Sequence, residues 1–100
     1  MENLIEKIAQ KSKEIRLSKM LAYHNSKTSS VPYEASIVKN DTYGGYYLIQ
    51  KCMIFSRQSF SDSEYCIYEF DEQGDFKRQR NDLAVFDFFK TNRLIKNILF

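Results

Sequence analysis

The sequence predicts an α+β domain in which a long N-terminal helix and a C-terminal helix flank a four-stranded antiparallel meander. The expected order is α-β-β-β-β-α, with a single layer of helices on one sheet. Three observations lead to this prediction: helical spacing of apolar residues near the start, runs of β-branched and aromatic residues in the middle, and a second helical stretch at the end. With 100 residues and 43% apolar composition, the chain fits one domain, residues 1–100, with one core.

The first helix is predicted over residues 3–23. Its apolar residues mostly recur at three- and four-residue steps with lysines between them, which is typical of an amphipathic helix. They are Leu4, Ile5, Ile8, Ile15, Leu17, Met20 and Leu21. A loop, "SKTSSVP", follows, and its Pro32 favours an extended residue before it.

Strands are predicted at residues 33–39, 46–56 and 64–71, separated by "NDTYGG" and "RQSFSDS", which have turn composition. In "DEQGD", Asp71 suits the first position of a type I turn and Gly74 the left-handed position after it. This hairpin starts a fourth strand at Phe76. The expected register places Phe70 opposite Phe76 and Glu69 opposite Lys77, and cross-strand charge pairing explains the change from acidic to basic residues here.

A second helix is predicted over residues 83–100, after a cap at Asn81 or Asp82. Its apolar stripe ends at Ile98, Leu99 and Phe100, which we expect to lie in the core or in a homodimer contact. The element order resembles cystatin-like layouts, and the resemblance is one of order alone.

Cysteine and histidine content narrows the possible chemistry. Cys52 and Cys66 are the only cysteines and lie in strand-like runs, where buried thiols are expected. With His24 as the only histidine, the chain has no set of ligands for a zinc site. No cofactor and no catalytic activity are predicted. The absence of a long apolar segment predicts no membrane association, and the two cysteines favour a cytoplasmic location.

The charged residues are divided into zones although the net charge is only +2. Residues 62–75 carry six acids and no base, and the basic residues of the following zone lie within 76–96. Adjacent zones of opposite charge favour docking on another protein, with either zone as the interface. We therefore expect a non-enzymatic protein-binding module of the inhibitor, antagonist or adaptor type, and the lysine-rich, tyrosine-rich composition is typical of proteins encoded by phages and mobile elements. The candidate partner-binding residues are Tyr46, Tyr47, Glu72, Asp75, Lys77, Arg78 and Arg80.

Two alternatives remain open from the sequence. The fourth strand and the tyrosines 46, 47, 65 and 68 could form a basic stacking surface for nucleic acid, although the neighbouring acids oppose a phosphate backbone. A cup between the first helix and the sheet could bind a small ligand, with His24 or tyrosines as candidate catalytic groups.

Overall fold

The computed structural model of the chain describes residues 3–26, 30–55, 60–80 and 92–100. One helix precedes five strands in these residues: α1 (Leu4–Ser26), β1 (Ser30–Lys39), β2 (Tyr46–Phe55), β3 (Phe60–Phe70), β4 (Phe76–Arg80) and β5 (Arg93–Leu99). All paired strands are antiparallel, and their order across the sheet is β4-β3-β2-β1-β5. The α+β class is confirmed, and the predicted number of four strands is corrected to five.

The predicted C-terminal helix is wrong over its last residues, because Arg93–Leu99 is strand β5. The earlier part of that prediction, residues 83–91, lies outside the described residues. A short run such as "RLIKNIL" fits helical and strand spacing equally well, so its own pattern does not decide between them. Pairing with β1, in which Ile98 lies opposite Ala35 and Lys96 opposite Ile37, supplies the backbone partners of the strand. The predicted homodimer contact through a C-terminal helix is therefore wrong for residues 93–99, because they form a strand.

Helix α1 begins after Asn3, whose Oδ1 accepts a hydrogen bond from the amide of Ile5 at 2.8 Å. This is the usual role of asparagine at a helix N-terminus. The first half of α1 packs on the sheet, and Ile8 is fully buried there. The predicted apolar face does not continue into the core, since Leu17 and Leu21 are exposed. The described residues include no helix that is long and apolar enough to span a bilayer.

The sheet has an apolar cluster on each face. The larger cluster faces α1 and contains Ile8, Ala35, Ile37, Leu48, Cys52, Cys66, Tyr68 and Phe70. The smaller one, on the opposite face, contains Val38, Ile49 and Ile67, with Tyr47 packed against it. Alternate residues of a strand point to opposite faces, which explains why neighbours such as Leu48 and Ile49 belong to different clusters. Strands β1, β2 and β3 are thus buried at their centres from both sides.

Candidate functional site

The loop between β1 and β2, residues 40–45, has a backbone held by its own hydrogen bonds. The buried Asn40 side chain accepts from the amides of Thr42 and Tyr43, each at 3.1 Å. The Asn40 amide donates to the carbonyl of Gly45 at 3.1 Å, and its carbonyl accepts from the Gly44 amide at 3.0 Å. Asparagine commonly closes turns in this way because its short side chain reaches nearby amides. The loop therefore presents Tyr43 from a fixed backbone.

The loop between β3 and β4, residues 71–75, is closed by Asp71. Its Oδ1 accepts hydrogen bonds from the amides of Gln73 and Asp75, each at 2.9 Å. The amide of Asp71 donates to the Asp75 carbonyl at 2.9 Å, and Gly74 has a φ of 81°, in the left-handed region. The predicted turn, with Asp71 at its first position and Gly74 in the left-handed conformation, is confirmed.

The two loops touch at Gly44 and Gly45, whose φ angles are 79° and 82°. A Cβ atom on Gly45 would lie 2.6 Å from the carbonyl oxygen of Phe70, and one on Gly44 would collide with the carboxylate of Glu72. Glycine is needed here for two reasons, the left-handed backbone and the close approach of the hairpin. The contact fixes the position of one loop against the other.

A pocket of about 340 Å³ opens where these two loops meet the sheet. Five of the seven predicted partner-binding residues line it: Tyr46, Tyr47, Glu72, Lys77 and Arg80. The lining also includes Tyr43 from the first loop, and Glu69 and Asp71 from β3 and the second loop. The structure thus brings together side chains that lie more than thirty positions apart in the sequence.

Glu69 is the electrostatic centre of this pocket, and its side chain is only 11% exposed. Its carboxylate accepts from Arg80 Nη1 at 2.6 Å, from Lys77 Nζ at 3.1 Å and from Arg78 Nε at 3.3 Å. Burial acts to raise the pKa of the Glu69 carboxyl, but the hydrogen bonds from Arg80, Lys77 and Arg78 outweigh burial and lower the pKa to about 2. All three cations of β4 are therefore engaged by one carboxylate.

The predicted pairing of β3 with β4 is correct at its first pair and wrong beyond it. Phe70 and Phe76 are partners, as predicted. A register shift beside Glu69 then makes Arg78, rather than Lys77, its partner. Because a bulge adds one residue to one strand, it lets Lys77 reach the same carboxylate from the extra position. This explains how three basic side chains converge on a single acid.

The other two predicted residues, Asp75 and Arg78, do not line the pocket. Asp75 forms an ion pair with Lys7 of α1 and lines a separate pocket of about 250 Å³ beside the helix. Arg78 is paired with Glu69 and has a side chain that is 63% exposed. Both belong to the β3–β4 hairpin, which also supplies Glu69, Glu72, Lys77 and Arg80 to the pocket.

The sequence reasoning missed Tyr43, which is 89% exposed at the rim of the pocket. Large aromatic side chains are usually at least partly buried, so a tyrosine this exposed on an ordered loop is unusual. The signal was present in "NDTYGG", since a turn-closing asparagine and two glycines enclose one aromatic residue. Turn composition alone does not tell how exposed that residue is.

Comparison of the chain with protein-family models, with curated proteins and with solved structures finds no significant match. Among residues 3–26, 30–55, 60–80 and 92–100, no group of three or more histidine, cysteine or acidic side chains is placed to hold a metal ion. By its own geometry, the site is an exposed tyrosine beside a polar pocket lined by charges of both signs.

Proposed function

We propose that the chain is a cytoplasmic protein-binding module of the inhibitor or adaptor type, which docks through the surface around Tyr43. We define the Tyr43 surface as Tyr43, Tyr47, Glu72, Lys77 and Arg80. The observation that supports this proposal is the 89% exposure of Tyr43 on a loop whose backbone is fixed. Tyrosine and arginine are enriched among the residues that dominate binding energy at protein interfaces.

A fixed loop favours binding because little conformational freedom is lost when a partner docks. The Asn40 side chain and the two left-handed glycines already hold the backbone around Tyr43. A tyrosine side chain has few rotatable bonds and offers both an apolar ring and a hydroxyl group. Tyr43 therefore has the properties of an anchor residue, and the charged pocket beside it those of a polar rim.

The charge balance of the site supports a protein partner over a nucleic acid. Three carboxylates, those of Glu69, Asp71 and Glu72, line the pocket with two cations, Lys77 and Arg80, so the pocket has no excess of positive charge. Affinity for a phosphate backbone depends on uncompensated positive charge. A protein surface with both signs of charge is the better complement to this site.

The placement of the tyrosines also bears on the two alternatives. Tyr46 and Tyr68 pack with the cluster that faces α1, whereas Tyr47 packs on the opposite face, so they do not form one stacking surface. The cup alternative requires an open interior between helix and sheet, and fully buried Ile8 and nearly buried Phe70 pack in the centre of that layer. The pocket of about 250 Å³ beside the helix is lined by the β3–β4 hairpin rather than by the middle of the sheet. Neither arrangement favours nucleic-acid stacking or a ligand cup.

The experiment is affinity capture from the native host's lysate with nuclease, followed by binding measurements with the purified partner. We expect a protein to remain bound after nuclease treatment. Tyr43→Ser should weaken its affinity at least about ten-fold, as expected for an anchor residue. The matched control is Tyr65→Ser, because Tyr65 is also exposed but lies on the sheet, away from the pocket. Equal affinity of the Tyr43 variant and the wild type, or capture that disappears with nuclease, would contradict the proposal.

A further inference from the structure

A second cluster of reactive groups lies on the other side of the sheet, beneath the exposed half of α1. The Nζ atom of Lys19 lies 3.1 Å from Cys66 Sγ and 3.9 Å from Cys52 Sγ. The same Nζ lies 5.8 Å from the centre of the Tyr68 ring. The two cysteines come from neighbouring strands, β2 and β3, so one lysine of the helix reaches the thiols of two strands.

The ammonium group of Lys19 remains charged in this setting. Burial acts to lower the pKa of Lys19, but hydrogen bonds with Cys66 and Tyr68 outweigh it, and the pKa is raised. A charged hydrogen-bond donor next to a sulfur atom favours the thiolate, which is the nucleophilic form of cysteine, whereas burial among apolar side chains favours the thiol. Cys66 is buried in the apolar cluster, so the 3.1 Å contact with Lys19 is the feature that favours its reactivity. Of the two sulfurs, that of Cys66 is closer to the ammonium group.

Exposure distinguishes the two cysteines as well. Cys66 is 8% exposed, whereas Cys52 is fully buried. Gln50, rather than Cys52, is the cross-strand partner of Cys66, so the two cysteines are diagonal neighbours. Diagonal residues have Cα atoms roughly 7 to 8 Å apart, which exceeds the separation that a disulfide normally spans. Formation of a disulfide would therefore require movement of the strands.

Gln50 supplies a further feature next to Cys66. Its Nε2 atom donates to the carbonyl and hydroxyl oxygens of Ser12, at 3.0 and 3.1 Å, which ties the sheet to α1. Its Oε1 atom is buried and has no hydrogen-bond donor among the described residues. A buried acceptor of this kind is unusual and gains stability when a donor is supplied. Gln50 and Cys66 are cross-strand partners, whose Cβ atoms lie about 5 Å apart, so the Gln50 side chain is within reach of a hydroxyl group on the Cys66 sulfur.

We propose that Cys66 is a peroxide-reactive modification site that forms a stable sulfenic acid, with Lys19 activating the sulfur and Gln50 accepting from the product. The Cys66 thiolate attacks one oxygen of hydrogen peroxide, the O–O bond breaks, and the second oxygen leaves as hydroxide. The sulfur is oxidised by two electrons and carries the hydroxyl group as S–OH. This inference is independent of docking at the Tyr43 surface, which lies at the loop end of the sheet.

The test treats the purified full-length chain with hydrogen peroxide and traps sulfenic acid with a 1,3-cyclohexanedione probe, located by peptide mass spectrometry. We expect the label on Cys66 in the wild type and in Cys52→Ser, and none in Cys66→Ser. Lys19→Met should lower the labelling rate about ten-fold, because the charge that favours the thiolate is gone. Lys13→Met is the matched control, since Lys13 is an exposed lysine of the same helix and should leave the rate unchanged.

Circular dichroism of each variant establishes that it is folded, and alkylation of Cys66 by iodoacetamide gives a second rate that does not depend on peroxide. Both rates should fall together in Lys19→Met. Labelling of Cys52 instead of Cys66, equal rates in the Lys19 and Lys13 variants, or conversion of the wild type to a Cys52–Cys66 disulfide would each overturn the proposal.

Discussion

Replacement of Glu69 by glutamine should destabilise the fold and remove a specific part of its pH dependence. The substitution keeps the size of the side chain but leaves Lys77, Arg78 and Arg80 without the carboxylate that they share. The lowering of the Glu69 pKa from 4.5 to about 2 corresponds to about 3 kcal/mol in favour of the charged form. Because Lys77 and Arg78 are more than half exposed, water compensates in part, and we expect a loss of about 2 kcal/mol at neutral pH.

The sign of the pH effect follows from the lowered pKa. The stabilisation by Glu69 is fully present above about pH 5 and is lost as the pH falls through the window from 4.5 to about 2. Glutamine at position 69 has no acidic proton, whereas the other carboxyl groups are present in both proteins. The difference in free energy of unfolding between wild type and Glu69→Gln should therefore shrink steadily as the solution is acidified.

The assay is urea unfolding followed by circular dichroism, at several pH values between neutral and about 3. The control is Glu14→Gln, because Glu14 is an exposed acid with a single lysine at 4.0 Å and should contribute less than about 0.5 kcal/mol. A Glu69→Gln loss no larger than that of the control, or a difference that stays constant with pH, would refute the reasoning about the shared carboxylate.

Two further predictions concern the packing that positions the site. Ile8→Ala should lower the free energy of unfolding by about 2 to 5 kcal/mol, because Ile8 is fully buried between α1 and the sheet. A loss below about 1 kcal/mol in urea unfolding would show that packing of α1 on the sheet contributes little to stability. Gly45→Ala should lower the free energy of unfolding by at least about 1 kcal/mol more than Gly74→Ala. Both glycines have a left-handed backbone, but an added Cβ would lie 2.6 Å from the nearest carbonyl oxygen at Gly45 and 3.4 Å from it at Gly74. Equal losses by thermal or urea unfolding would show that the loop contact yields easily.

Local turn chemistry made part of the fold predictable. The turn at residues 71–75 could be predicted from Asp71 and Gly74 alone, because an aspartate and a left-handed glycine at that spacing favour one turn. The first helix was predictable from its apolar spacing, although spacing did not reveal that Leu17 and Leu21 are exposed. What a helix packs against depends on the extent of the sheet, which a local pattern does not contain.

Strand β5 shows the limit of pattern analysis more clearly. The sequence predicts a helix here because Ile95, Ile98 and Leu99 fall at helical spacing. Their conformation depends on the free edge of β1, more than fifty positions earlier in the chain, which takes β5 as its partner. Such long-range pairing overrides the local preference of a short ambiguous segment.

Cross-strand pairing explains the change from acidic to basic residues at the hairpin, as predicted. The number of basic side chains that pair with Glu69 depends on one bulge. The predicted register pairs Glu69 with Lys77 alone and assigns no carboxylate to Arg78 or Arg80. The bulge instead directs Lys77, Arg78 and Arg80 to Glu69, and Asp71 and Glu72 balance the rest. Charge at this site is therefore largely satisfied within the fold. A partner that docks here would gain most from the side chain that takes no part in this network and is already exposed, which is the ring of Tyr43.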